Sequence, residues 1–102
     1  MGAEADRALD QLAGWIRECR QCPLNESRRN AVPGEGDPRA AVMLVGEAPG
    51  AKEDELGRPF VGAAGRFLDD LLEEIALERD ALFITSVVKC RPPENRNPRR
   101  AE

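Results

Sequence analysis

The chain has 102 residues, of which 41% are apolar with only three Phe, one Trp and no Tyr, so it is at most one small domain whose core rests on Ala, Val, Leu and Ile. Fifteen Lys and Arg against nineteen Asp and Glu give a net charge of -4, unevenly spread: residues 89–102 hold five cations against two carboxylates, and the rest ten against seventeen. No apolar run nears the roughly 20 residues that span a bilayer, and the first ten residues lack the basic-then-apolar order of a signal peptide, so the expectation is a soluble cytoplasmic protein with no membrane partner.

In chain order, Leu9, Leu12, Ile16 and Cys19 recur at helical spacing and predict an amphipathic helix over residues 5–19. It ends at the Cys19-Arg-Gln-Cys22-Pro23 turn. After the Gly/Pro-rich loop NAVPGEGDP, residues 41–45 form a short, wholly apolar run, as a strand buried on both faces would. Residues 66–77 place Phe67, Leu68, Leu71, Leu72 and Ile75 on one face and Asp69, Asp70, Glu73 and Glu74 on the other, which predicts a second helix. Residues 82–88 are β-branched and apolar, a second strand. Strand, helical crossover and strand make a βαβ unit with parallel strands, whose ligand crevice is expected beyond their carboxyl ends.

Both notable loops fall at those ends. GEAPGAKEDELGRPFVGAAG follows the first strand, with five glycines whose amides can approach a planar or anionic ligand, and with Glu47, Glu53, Asp54 and Glu55 beside the exposed-loop aromatic Phe60. It lacks both GxGxxG and a Gly-Lys-Ser/Thr ending, which disfavours a nucleotide cofactor. The glycines can equally be plain turn residues.

Three cysteines are an odd number, so a closed disulfide framework is not expected. A thioredoxin-like pair would follow a strand, whereas Cys19-x-x-Cys22 follows a helix, and a zinc site wants four Cys or His ligands in a chain that has no His. Two readings remain: inert buried cysteines, or three ligands of an iron–sulfur centre whose fourth lies beyond residue 102.

VGEAPGAKEDELGRPFVGAAGRFLDDLL, Cys19-x-x-Cys22 and ITSVVKCRPPENRNP together resemble the N-terminal half of a family-four (type-4) uracil-DNA glycosylase, the iron–sulfur type, from about Asp10 to the last residue. The resemblance implies an α/β fold, three-layer α/β/α with a central parallel sheet, of which this chain covers the N-terminal βαβ part as a single, truncated domain over residues 1–102. It implies a monomer that repairs DNA by hydrolysing the N-glycosidic bond of uracil, flipping the base into a pocket, with uracil-containing DNA as partner. A structural 4Fe-4S cluster would sit on Cys19, Cys22 and Cys90, its fourth ligand expected past Glu102. Gly46, Glu47 and Ala48 would floor the pocket, Phe60 would stack on the base, and Glu47 and Glu53 would be the catalytic carboxylates, Glu53 positioning or activating water. Lys89, Arg91, Arg96, Arg99 and Arg100 would meet phosphates. Where the family carries Asn, one residue after Thr85, this chain has Ser86, a substrate-binding position whose shorter hydroxyl cannot match an amide's donor and acceptor and loosens discrimination of uracil from cytosine. The alternatives are a noncatalytic iron–sulfur nucleic-acid-binding module and a related glycosylase acting on other deaminated bases.

Overall fold

The computed structural model describes residues 2–102 as a small mixed α/β fold. Helix α1 (Gly2–Arg17) leads to a single turn of helix, α2 (Leu24–Ser27), then to β1 (Glu35–Gly36) and β2 (Met43–Gly46). Two helices, α3 (Ala51–Leu56) and α4 (Ala63–Glu74), precede β3 (Phe83–Ser86), with 3-10 turns at Arg79–Ala81 and Pro93–Asn95. The sheet order is β1-β3-β2, with β2 parallel to β3 and β1 antiparallel to it. The predicted βαβ unit is therefore present, and β1 is an addition that lay hidden in the NAVPGEGDP loop.

Burial corrects one expectation. The first predicted strand was to be covered on both faces, yet Val42, Met43 and Val45 are exposed among the described residues and only Leu44 turns inward. β3 takes the central place instead, with Ile84, Thr85 and Ser86 all buried. Helix α4 likewise buries Leu72 and half-buries Leu68 while Phe67 stays 66% exposed, so its apolar stripe is wider than the surface it meets. It also stops three residues earlier than its periodicity predicts. Ala76, at φ 56, adopts the left-handed conformation, and Leu77 N–H reaches back to Leu72 O at 2.9 Å, a closing pattern usually marked by a glycine.

The core is split in two. Leu72, Leu82 and Ile84 pack with Leu44, Phe60 and Leu68 on one side, and Leu24, Ala31, Val88 and Cys90 pack with Ile16, Cys22 and Ala48 on the other. Buried Asp54 joins the segments around them, its Oδ1 accepting Arg29 N–H at 2.8 Å and Asn30 N–H at 3.3 Å. The cysteine-bearing segment is thereby tied to α3. No helix among the described residues is long and apolar enough to cross a membrane.

Candidate functional site

β2 and β3 end side by side at Gly46 and Ser86, and the parallel ladder runs on as Val87 N–H donates to Gly46 O at 2.9 Å and Val88 N–H to Glu47 O at 3.0 Å. Beyond these ends opens a cavity of about 90 Å³, lined by Val32, Gly46, Ala48, Pro49, Glu53, Pro59, Phe60, Ala64 and Ser86. Five expected site residues, Gly46, Ala48, Glu53, Phe60 and Ser86, thus meet in one place at the predicted edge of the sheet. Glu47 is exposed and does not line the cavity.

Phe60 is half-buried rather than an exposed loop aromatic, because its ring closes over the sheet end. A Cβ on Gly46 would lie 2.7 Å from Phe60 Cζ, so glycine there is what lets the ring approach. The turn carrying it is held from three sides. Arg58 forks onto Glu35 of β1 with two bonds of 2.8 Å, Arg79 Nη1 donates to Phe60 O at 2.9 Å, and Arg79 Nη2 donates to Pro59 O. These bonds fix Phe60 at φ 51, a left-handed conformation that a bulky residue keeps only when its surroundings impose it.

Helix α4 adds a fourth constraint. A Cβ on Gly65 would stand 1.9 Å from Phe60 O. Gly65→Ala is therefore expected to destabilise the protein by about 1–3 kcal/mol, although alanine is intrinsically the better helix former by up to about 1 kcal/mol. Denaturant unfolding decides the sign, and a stabilised variant would mean that the Phe60 turn moves aside freely.

Glu53 caps the front of α3 and faces the cavity. Its Oε1 accepts Gly50 N–H at 2.9 Å, and its Oε2 accepts Val61 N–H at 2.9 Å and Gly62 N–H at 2.8 Å. Burial opposes its charge, but the amides of Val61, Gly62, Glu53 itself and Gly50 outweigh that and hold the carboxyl below the usual carboxylate range. At neutral pH it is a fixed anion. Ser86 turns its hydroxyl to the backbone two residues on, donating to Val88 O at 2.6 Å, so what it offers the cavity is acceptor capacity alone.

The expected DNA-binding cations separate into two groups. Lys89 turns inward, its Nζ donating to Thr85 Oγ1 at 2.9 Å and to Ser86 O, and burial pushes its pKa down. Arg96 forks onto Glu102 with two bonds of 2.8 Å, and Arg91 Nε bonds Asn95 Oδ1 at 2.8 Å. Arg99 and Arg100 are exposed. Lys89 thus buttresses the strand beneath the cavity, while Arg99 and Arg100 present charge outward.

Cys19, Cys22 and Cys90 are free thiols from two separate stretches, the turn after α1 and the loop after β3, and all three line a second cavity of about 260 Å³ together with Ile16, Leu24, Val88, Ala101 and Glu102. They share that space without forming, among the described residues, a group of three side chains close enough to hold a metal ion. Cysteine sulfur is a soft ligand, of the type that suits a soft metal or an iron–sulfur centre. Cys22 and Cys90 also belong to the apolar core, so both readings of the cysteines have a structural basis.

Two residues escaped the sequence reading. Arg79 anchors the Phe60 turn, and Arg28 places its guanidinium on Cys90, Nη1 to Sγ at 2.9 Å. An arginine at the head of a strand or behind a short helix has no periodicity to mark it, so nothing in the one-dimensional pattern singles either out.

A family model described as the Uracil DNA glycosylase superfamily matches residues 33–102. The chain is 57% identical over 94 residues to a type-4 uracil-DNA glycosylase of Pyrobaculum aerophilum, covering 92% of this chain and 48% of that protein. It is 55% identical over 96 residues to the enzyme of that name from Sulfurisphaera tokodaii, covering 93% and 44%. A third, from Saccharolobus solfataricus, is 53% identical over 95 residues, covering 92% and 44%. The chain spans about half the length of the curated relatives it matches.

Proposed function

The chain belongs to the uracil-DNA glycosylase superfamily, and from that membership we propose that the full-length protein is a type-4 enzyme that hydrolyses the N-glycosidic bond of uracil in DNA. The observation that carries this is the cavity at the ends of β2 and β3, where Gly46, Ala48, Glu53, Phe60 and Ser86 converge. A base must leave the stack to be cut, and an aromatic wall fixed by Gly46, Gly65 and Arg79 offsets part of that cost before the base arrives. Bond cleavage leaves positive charge on the sugar and negative charge on the departing base. Glu53, ionised and immobile, complements the charge on the sugar, and unused lone-pair capacity on its Oε1 can orient a water. Glu47, solvent-exposed between the cavity-lining Gly46 and Ala48, is the second catalytic carboxylate in this reading, and backbone groups of Gly46 and Ala48 floor the pocket beside the base.

Arg99 and Arg100 meet phosphates in this reading, with Arg91 and Arg96 joining when DNA draws them from Asn95 and Glu102. Cys19, Cys22 and Cys90 would hold a 4Fe-4S cluster, with a fourth ligand beyond residue 102. Bound there, it supplies a clamp between the segment after α1 and the Cys90 loop rather than reaction chemistry. In the full-length monomer the parallel β2–β3 pair extends into the central sheet of a three-layer α/β/α fold, in the cytoplasm.

Uracil release from single- and double-stranded DNA tests the assignment. Phe60→Ala is expected to weaken engagement of the flipped base by about 1–3 kcal/mol, leaving binding to uracil-free DNA unchanged. A variant that releases uracil as fast as the unaltered protein would show Phe60 to be core packing only, and release of another deaminated base in preference to uracil would favour the related specificity that Ser86 admits.

A further inference from the structure

Arg28 is held at both ends of its guanidinium. Nη1 donates to Cys90 Sγ at 2.9 Å and Nη2 donates to Arg17 O at 3.1 Å, at the carboxyl end of α1. Its own backbone N–H bonds Leu24 O at 3.2 Å, which fixes the start of the side chain as well. Cys90 is 7% exposed, so its sulfur has little water to compete with that donor. Among the described residues no carboxylate lies within ion-pair distance of Arg28, and its positive charge is therefore directed at the sulfur.

We propose that Arg28 is a positioning residue for the iron–sulfur cluster: it orients Cys90 and, by donating an N–H to the ligating sulfur, sets the cluster's reduction potential. This rests on the reading of Cys90 as a cluster ligand. Hydrogen bonds to the sulfurs and nearby positive charge stabilise the more electron-rich, reduced state, and a donor fixed at two points does so without rearranging. Arginine suits the place because its planar fork offers separate nitrogens to the sulfur and to the Arg17 carbonyl. A lysine ammonium is a single flexible point donor and holds the pair less rigidly.

The test uses the full-length protein purified anaerobically, unaltered and as Arg28→Gln and Arg28→Lys. Iron and sulfide per chain are assayed first, and the potential is measured by film voltammetry. The expected result is a cluster retained in both variants at a lower potential: the reduced-to-oxidised ratio at a fixed poise falls on the order of tenfold, or about 59 mV for a one-electron couple, in Arg28→Gln, and by less in Arg28→Lys. Should Arg28→Gln fail to hold a cluster, Arg28→Lys decides alone. Fully loaded variants with the unaltered protein's potential overturn the role of Arg28 and leave the cluster reading standing. Unaltered protein without iron and sulfide overturns both.

Discussion

Glu53→Gln in the full-length protein is expected to slow single-turnover uracil release by about 10- to 1000-fold while leaving DNA binding nearly intact. The substitution removes the one buried-edge negative charge that the cavity's geometry fixes in place. It also disturbs the frame. A glutamine oxygen can accept from Val61 and Gly62 as Oε2 does, but its amide then sets a donor against the Gly50 N–H, a mismatch costing about 1–3 kcal/mol. The two effects separate by pH. The Glu53 carboxyl is held below its ordinary value in the folded state, so its contribution to stability is complete above the unfolded carboxylate pKa of about 4.3 and is lost as pH falls through the lower folded value. Glu53→Gln should flatten that part of the acid-unfolding curve and lower Tm at neutral pH, while the rate falls far more than the change in Tm explains. A rate equal to that of the unaltered protein would remove Glu53 from the chemistry and leave it a loop cap.

The parallel pair and the cavity at its end were legible because each rests on local pattern: a short apolar run marks β2, an apolar β-branched run marks β3, and their connection fixes where the loops converge. What was not legible depends on partners distant in the chain. β1 is two residues within a glycine-rich loop, too short for any alternation, and it exists through pairing Glu35 and Gly36 with Ile84 and Phe83. Its use is equally remote, since Glu35 receives the fork of Arg58 and so steadies the Phe60 turn. Lys89 reads in sequence as the first cation of a basic tail, yet the strand before it leaves its ammonium in reach of Thr85 and Ser86, and it folds back. The end of α4 misled for another reason: Ala76 takes the left-handed position that glycine normally signals. The flank of α4 with Phe67 and Leu71, continued by Ile75, carries a helical period that is real, but all three side chains stay exposed.

Cys19→Ser in the full-length protein should cut iron and sulfide content by more than about tenfold and abolish the broad absorption near the blue edge of the visible, and Cys90→Ser should do the same. The comparison is informative because the two cysteines differ in burial. Cys90 packs with Leu24, Ala31 and Val88, so replacing it disturbs the core whatever its ligand role, whereas Cys19 is half-exposed and outside that cluster. If the cysteines are inert core residues, Cys90→Ser costs stability and Cys19→Ser costs almost none. If both hold one cluster, Cys19→Ser also costs stability, since a cluster missing either thiolate no longer joins the end of α1 to the Cys90 loop, and the binding energy that joined them leaves the folding equilibrium, with Cys90→Ser losing its core packing in addition. Iron and sulfide assays on anaerobically purified protein, with thermal unfolding alongside, separate the cases. A Cys19→Ser protein with undiminished iron and sulfide would remove Cys19 from the ligand set.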